Sequence, residues 1–300
     1  MDSTIELVLD AKASLAEGPC WDEKKQLLYW VDIVEKQLCI FSPTVNTNRV
    51  IALNQQIGCV VPYLDDVLLL AMENGFYSIN IKTEKLTHIF DPEPHLFDNR
   101  FNDGKCDPAG RFWAGTTDTY GINAAGSLYC LNNSFKVEKK VSHVNTSNGI
   151  AWSPDYTYLY YIDTPTKKVV RFHYNICTGE IRNPNDVIIF PENDGLPDGM
   201  TIDKEGCLWI AHWGGSKITR WNPSTGERIL SIPIPALYVT SCTFGGPNLT
   251  DLYVTTARTR MTNNELKEYP HAGGIFRIQT NIKGCPTHSF RNNNIGAETI

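Results

Sequence analysis

A chain of 300 residues, 42% hydrophobic and 20% charged, has ample material for a core, because a chain of this size buries roughly three-quarters of the surface it exposes when unfolded. A formal net charge of -6 with no basic run argues against a nucleic-acid partner, and no apolar run reaches the roughly 20 residues of a membrane span. The first ten residues, MDSTIELVLD, lack the basic segment and apolar stretch of a secretory signal, and nine cysteines without a close CxxC pair speak against a disulfide framework or a thiolate zinc site; reduced core thiols in a cytoplasmic protein are expected.

In chain order, a first strand is predicted from Ile5 to Leu9. Glu17-Gly18-Pro19 then leads to a strand at Leu28-Tyr29-Trp30-Val31 and another at Leu38-Cys39-Ile40-Phe41. The pattern returns weakly at Leu68-Leu69-Leu70-Ala71 and Phe76-Tyr77-Ser78-Ile79. It returns strongly where Arg100-Phe101-Asn102-Asp103-Gly104 leads through Asp107-Pro108-Ala109-Gly110 to Phe112-Trp113-Ala114-Gly115. Ser147-Asn148-Gly149 leads to Leu159-Tyr160-Tyr161-Ile162, and Pro197-Asp198-Gly199 leads through Asp203-Lys204-Glu205-Gly206 to Leu208-Trp209-Ile210-Ala211. A weaker copy ends at Leu252-Tyr253-Val254-Thr255, followed by Ile275-Phe276-Arg277-Ile278. The runs are short and rich in β-branched and aromatic residues, which favours strand over helix. Their starts at 28, 68, 112, 159, 208 and 252 lie 40 to 49 residues apart. Six units of that length predict an all-β fold, a six-bladed β-propeller with four-stranded blades around a central channel, as one domain over 1–300. The fourth strand of each blade is the least legible, and Ile5 to Leu9 is expected to close the ring by completing the last blade.

Propeller geometry brings the residues before each first strand to one channel mouth, together with those after each second strand. The first set contains Glu17, Asn102, Asn148 and Asp198; the second contains Asp32, Glu73, Thr117, Asp163, His212 and Thr256. Two carboxylates and two amides suit a hard divalent cation with water completing its shell. Asp or Asn before Gly is also ordinary turn chemistry. Arg100 is placed to hold a polar substrate or to pair with Asp98 or Asp103. The stretch from Asp118 to Gly126 is longer than a hairpin needs and reads as a lid or a plain surface loop. Trp213 offers a stacking face for a sugar ring or a core side chain. His212 reads as a wall residue, since no second histidine accompanies it.

Ala16-Glu17-Gly18-Pro19, Arg100-Phe101-Asn102-Asp103-Gly104-Lys105, Ser147-Asn148-Gly149, Pro197-Asp198-Gly199-Met200 and Ala272-Gly273-Gly274-Ile275-Phe276 resemble the regucalcin, gluconolactonase and luciferin-regenerating-enzyme family over nearly the whole chain. The later blades look most like bacterial sugar lactonases such as xylonolactonase. The resemblance implies one divalent metal ion (Ca²⁺, Zn²⁺, Mn²⁺, Mg²⁺ or Fe²⁺) on Glu17, Asn148 and Asp198. It implies Asp198 as the catalytic general base and Arg100 and Asn102 as substrate contacts. Tyr120 and Trp213 are expected to line the outer wall of the pocket, although Tyr120 stands where regucalcin-like members carry a glutamate. The implied reaction is hydrolysis of a sugar-acid lactone, a gluco-, xylo- or arabinono-type lactone, to its aldonic acid. The implied partner is a small sugar lactone, with no nucleic acid and no membrane, bound by a monomer. The rival readings are another metal-dependent esterase on the same scaffold and a calcium-binding propeller without catalysis.

Overall fold

The alternation of β-branched and aromatic residues with turn residues builds strands of five to ten residues, and in the computed structural model these assemble into six four-stranded antiparallel sheets arranged as a six-bladed propeller. The structure describes residues 4–121 and 123–293. Each sheet is one blade, and in blades one to five the strands follow chain order from the channel outwards. The innermost strands are Ala16–Asp22, Ile57–Leu64, Asn99–Cys106, Ser147–Trp152, Leu196–Ile202 and Tyr238–Gly245, in blades one to six. The outermost strand of blade six is Ile5–Leu9, which pairs antiparallel with Ile275–Gln279 and so joins the two ends of the chain.

The apolar faces meet between blades. Trp21, Trp30, Trp113 and Trp209 are buried there, and Trp21 stacks on Tyr253 with ring centroids 5.4 Å apart. Two turns that read as hairpin chemistry also serve the core. Asp107 and Asp203 are fully buried. Asp203 accepts hydrogen bonds from the Trp209 indole and the Arg220 guanidinium, both at 2.8 Å. Asp107 accepts from the Trp113 indole at 2.9 Å and from Arg111 at 2.6 Å. Each carboxylate is thus paired and hydrogen-bonded, the condition under which a buried charge is tolerated. The helix Asn263–Glu268 is one of the few departures from strand, started by a capping box of Thr262 and Glu265. Among the described residues no helix is long and apolar enough to cross a membrane.

Residues 280–293 run across the face opposite the mouth. Their amides reach blades six, five, two and three in turn, through Gly284 to Leu249, Cys285 to Ile202, Phe290 to Pro62 and Arg291 to Gly110. Phe290 packs against Tyr63 and Phe135. This strap covers the base of the channel, so the open end is the one carrying the site.

Candidate functional site

A strand alternates its side chains, so an unbroken ladder would send successive residues to opposite faces. Every innermost strand breaks that rule near its start. The register to the second strand shifts between Glu17 and Cys20, Ile57 and Cys59, Phe101 and Asp103, Ser147 and Ile150, Pro197 and Met200, and Val239 and Ser241. Glu17 is the last residue paired before its shift. Asn102, Asn148 and Asp198 lie within theirs. The bulges re-aim these side chains into the channel, a use to which bulges are often put beside functional sites.

The glycines that follow serve packing between blades. Asn148-Gly149 and Asp198-Gly199 lie within strands, not turns. A Cβ on Gly149 would stand 2.8 Å from the Asp198 carbonyl oxygen, and one on Gly199 would stand 2.1 Å from Ser241 Oγ. Neighbouring inner strands come this close only where the side chain is absent. The repeated polar-Gly pair therefore encodes the approach of the next blade, where the sequence suggested turn chemistry.

The predicted ligand residues meet. Glu17, Asn148 and Asp198 are 4–5% exposed. The Asn148 amide donates to Thr164 Oγ1 at 2.8 Å, and that hydroxyl donates to the Pro197 carbonyl at 2.8 Å. This relay ties blade four to blade five and fixes the amide so that Oδ1 faces the channel, where Asn102 donates to it at 3.3 Å. Asn148 also hydrogen-bonds the Asp198 carboxyl. Asn102 donates to the Ser147 carbonyl at 2.8 Å and accepts from Arg100 Nη1 at 2.9 Å. Arg100, Asn102, Asn148 and Asp198 therefore form one continuous polar chain, with Glu17 near enough to repel Asp198.

Its electrostatics are strained. Burial, followed by repulsion from Asp103, pushes the Glu17 carboxyl up to about 8, against the Gly18 amide at 2.9 Å and the charges of Arg100 and Lys105. Burial raises Asp198 well above the usual carboxylate range, and Glu17 and Asp103 add to the effect. Loss of hydration lowers Arg100 to about 10, which leaves it a cation at neutral pH. Among the described residues no group of three His, Cys, Asp or Glu side chains is arranged to hold a metal on its own. The set here is two carboxylates and an amide oxygen, all hard donors, with negative charge that a divalent cation would relieve. The residues fit such an ion.

The other predicted positions divide. Tyr120 is 70% exposed on a loop whose backbone is gathered by Asp118, which accepts from the amides of Tyr120 and Asn123. Ile122 of that loop lies outside the described residues. Trp213 is half-buried and stacks on Tyr238 at 4.3 Å. Neither belongs to the polar chain. His212 is fully buried between the Asp194 carbonyl at 2.7 Å and Thr219 Oγ1 at 2.6 Å, and burial lowers it to about 4, so it is a neutral wall residue. Asp32 and Asp163 cap incoming backbone, accepting from the amides of Ser14 and Leu15 and of Asn145 and Thr146. Thr164 escaped the sequence reading. It lies beyond its blade's second strand, where only the fold shows it bracing Asn148.

The chain is a six-bladed β-propeller whose channel mouth carries two buried carboxyl groups and an amide, all hard oxygen donors. The chain belongs to the SMP-30/Gluconolactonase/LRE-like family, whose profile matches residues 15–258. It is 44% identical over 284 residues, 95% of this chain and 97% of the relative, to YvrE of Bacillus subtilis, provisionally named a sugar lactone lactonase. It is 36% identical to regucalcin of Xenopus laevis over 95% of this chain and 98% of the relative. Among solved structures it is similar to a calcium-binding protein, regucalcin, from Agrobacterium tumefaciens, with a TM-score of 0.93 at 28% identity over 96% of this chain and 98% of that one.

Proposed function

We propose that the chain hydrolyses a sugar-acid lactone in the channel mouth, with a divalent cation held by Glu17, Asn148 and Asp198. The observation that carries the reading is the burial of two carboxyl groups and a braced amide oxygen around one point, all three donors suited to the same hard ion. The relatives' names, a sugar lactone lactonase and regucalcin, agree with it. A cation there supplies Lewis-acid polarisation of the lactone carbonyl. The chain's residues do the rest. Arg100 and Asn102 stand beside the site with hydrogen-bonding groups and orient the hydroxyl and ring oxygens of the substrate. Asp198 accepts the proton of the attacking water, its carboxylate held beside the cation and braced by Asn148. The stacked Trp213 and Tyr238, with the exposed Tyr120, form the outer wall against which a sugar ring lies.

The test is a panel of sugar lactones against chelator-stripped protein resupplied with Ca²⁺, Mg²⁺, Mn²⁺, Zn²⁺ or Fe²⁺ singly. Hydrolysis restored by a cation supports the reading, and full turnover in chelator refutes it. The description of the Agrobacterium relative as a calcium-binding protein favours one alternative, a cation-binding propeller without catalysis. Tight cation binding with no turnover on any lactone selects that alternative. Asp198→Asn separates base from ligand. Asn keeps one oxygen for the ion, and losing a general base typically costs about 10²–10⁴-fold in rate. A cation-saturated variant retaining more than about a tenth of kcat leaves Asp198 a ligand only.

A further inference from the structure

Asp103 has entered so far only as a charge that repels Glu17 and Asp198. It is 3% exposed, and its register partner is Gly115, directly after the bulge at Asn102. That bulge lets two consecutive side chains serve the channel. Asn102 turns to Ser147 and Asn148, while Asp103 lines a chamber on the base side of the mouth. The chamber, open in part to solvent, is walled by Gly18, Lys105, Trp152, Ser241 and, from the strap, His288. One Asp103 oxygen accepts the Gly104 amide at 2.7 Å. The other, Oδ2, is buried and has no hydrogen-bond partner among the described residues.

A buried carboxylate oxygen without a partner costs stability. Two further carboxyls close by make the cost larger, since Asp103 repels both Glu17 and Asp198. The nearest compensating charge is Lys105, two residues on, whose ammonium donates to the Met200 carbonyl on blade five. An arrangement this unfavourable to the cation-free fold has its natural complement in positive charge at the mouth. We propose that Asp103 is a positioning residue behind the cation site: without ligating, its carboxylate supplies a buried negative charge and a water-holding oxygen that strengthen cation binding at Glu17, Asn148 and Asp198, and Lys105 sets the limit of that strengthening. The inference rests on those three residues forming a cation site.

The full-length protein is stripped with chelator and titrated calorimetrically with Mn²⁺ and with Ca²⁺, and its thermal unfolding is followed in chelator. Asp103→Asn keeps an acceptor for the Gly104 amide. It is expected to loosen the dissociation constant about 10–100-fold, the usual effect of removing a residue that supports metal ligands. The cation-free variant is expected to be as stable as the unaltered protein or more so, a combination that a purely structural role would not give. Lys105→Met is expected to tighten binding, and this arm decides the matter if Asp103→Asn fails to fold. Affinity within about twofold of the unaltered protein in the variants that fold, or a loss of affinity matched by a loss of cation-free stability, overturns the proposal. If Glu17→Gln abolishes binding while Asp103→Asn leaves it intact, the cation site stands and Asp103 has no role in it. An unaltered protein that takes up neither ion removes both.

Discussion

Two carboxyl groups taken out of water near one another resist ionisation twice over, and the consequence at Glu17 and Asp198 is a pH dependence of the cation-free protein. Glu17 is raised to about 8 and Asp198 well above its usual range. A carboxyl whose folded value lies above its unfolded one binds its proton more tightly in the fold, so it contributes stability below the unfolded value of about 4.5 and loses it as pH rises towards 8. Thermal unfolding in chelator should therefore show falling stability from pH 5 to about pH 8, and saturating cation should flatten the decline. A flat profile in chelator would mean that these carboxyls are well compensated without an ion. Arg100 acts on another quantity. It is half-buried and bonded to the Phe101 carbonyl and to Asn102, both at 2.9 Å, beside the ligands without being one of them. Arg100→Ala should raise KM for the lactone about tenfold or more and leave the cation's dissociation constant within about twofold; unchanged steady-state kinetics would reduce Arg100 to a bracing role. At this scale Glu17, Asn102, Asn148 and Asp198 drew notice because a polar residue recurs at one phase of four of the six units, and the choice of Glu17, Asn148 and Asp198 among them as ligands rests on the family resemblance. Asp103 and Thr164 were not legible in this way. The first is hidden by strand alternation, which the bulge cancels, and the second acts through a hydroxyl contact between blades.

A strand element has two jobs here, to fill the space between blades and to deliver a side chain to the channel, and the bulge with its following glycine does both. Gly199→Ala places a methyl group 2.1 Å from Ser241 Oγ and 2.9 Å from Ser241 Cα, so blade six must retreat or the Asp198 segment must shift. Overpacking of this kind costs about 1–3 kcal/mol. The variant should unfold at lower temperature and lose cation affinity together, as read by calorimetry and ion titration. Preserved affinity in a destabilised Gly199→Ala protein would show that the bulge, not the close approach, sets the position of Asp198. The second and third strands of each blade could be read from sequence because burial on both faces makes most of them largely apolar runs, such as Leu68-Leu69-Leu70-Ala71. The outer strands of blades one to five could not. Thr47–Ala52, Leu86–Phe90, Val137–Val144, Glu180–Ile189 and Glu227–Pro233 are largely exposed, and Glu180–Ile189 carries Pro184, tolerated because an edge strand need not donate on its free side. Polar edges protect the propeller from pairing with other chains, and the same polarity conceals them in a hydrophobic pattern.

The whole molecule matters to the site because no blade holds it alone. Glu17 comes from blade one, Arg100 and Asn102 from blade three, Asn148 from blade four and Asp198 from blade five, so their convergence depends on the ring being closed. Closure is made by Ile5–Leu9 against Ile275–Gln279, reinforced by the Arg277 to Glu6 ion pair at 2.6 Å, and Leu7 and Leu9 pack on the core cluster that contains Trp21 and Phe276. An ion pair this exposed contributes little by itself. The strand contributes through its ladder and its apolar contacts. Deleting the residues through Leu9 leaves Ile275–Gln279 with an unpaired edge and uncovers the apolar face beneath it. The truncated protein should unfold at much lower temperature, and its cation affinity should fall although no ligand has been touched. Glu6→Ala is the control: it removes the ion pair, keeps the strand, and should change neither quantity appreciably. Intact cation affinity in a destabilised truncation would mean that the inner strands hold their arrangement without the seam. The base strap, which ties blades two, three, five and six together through residues 284–291, would then be the element that keeps the ring closed.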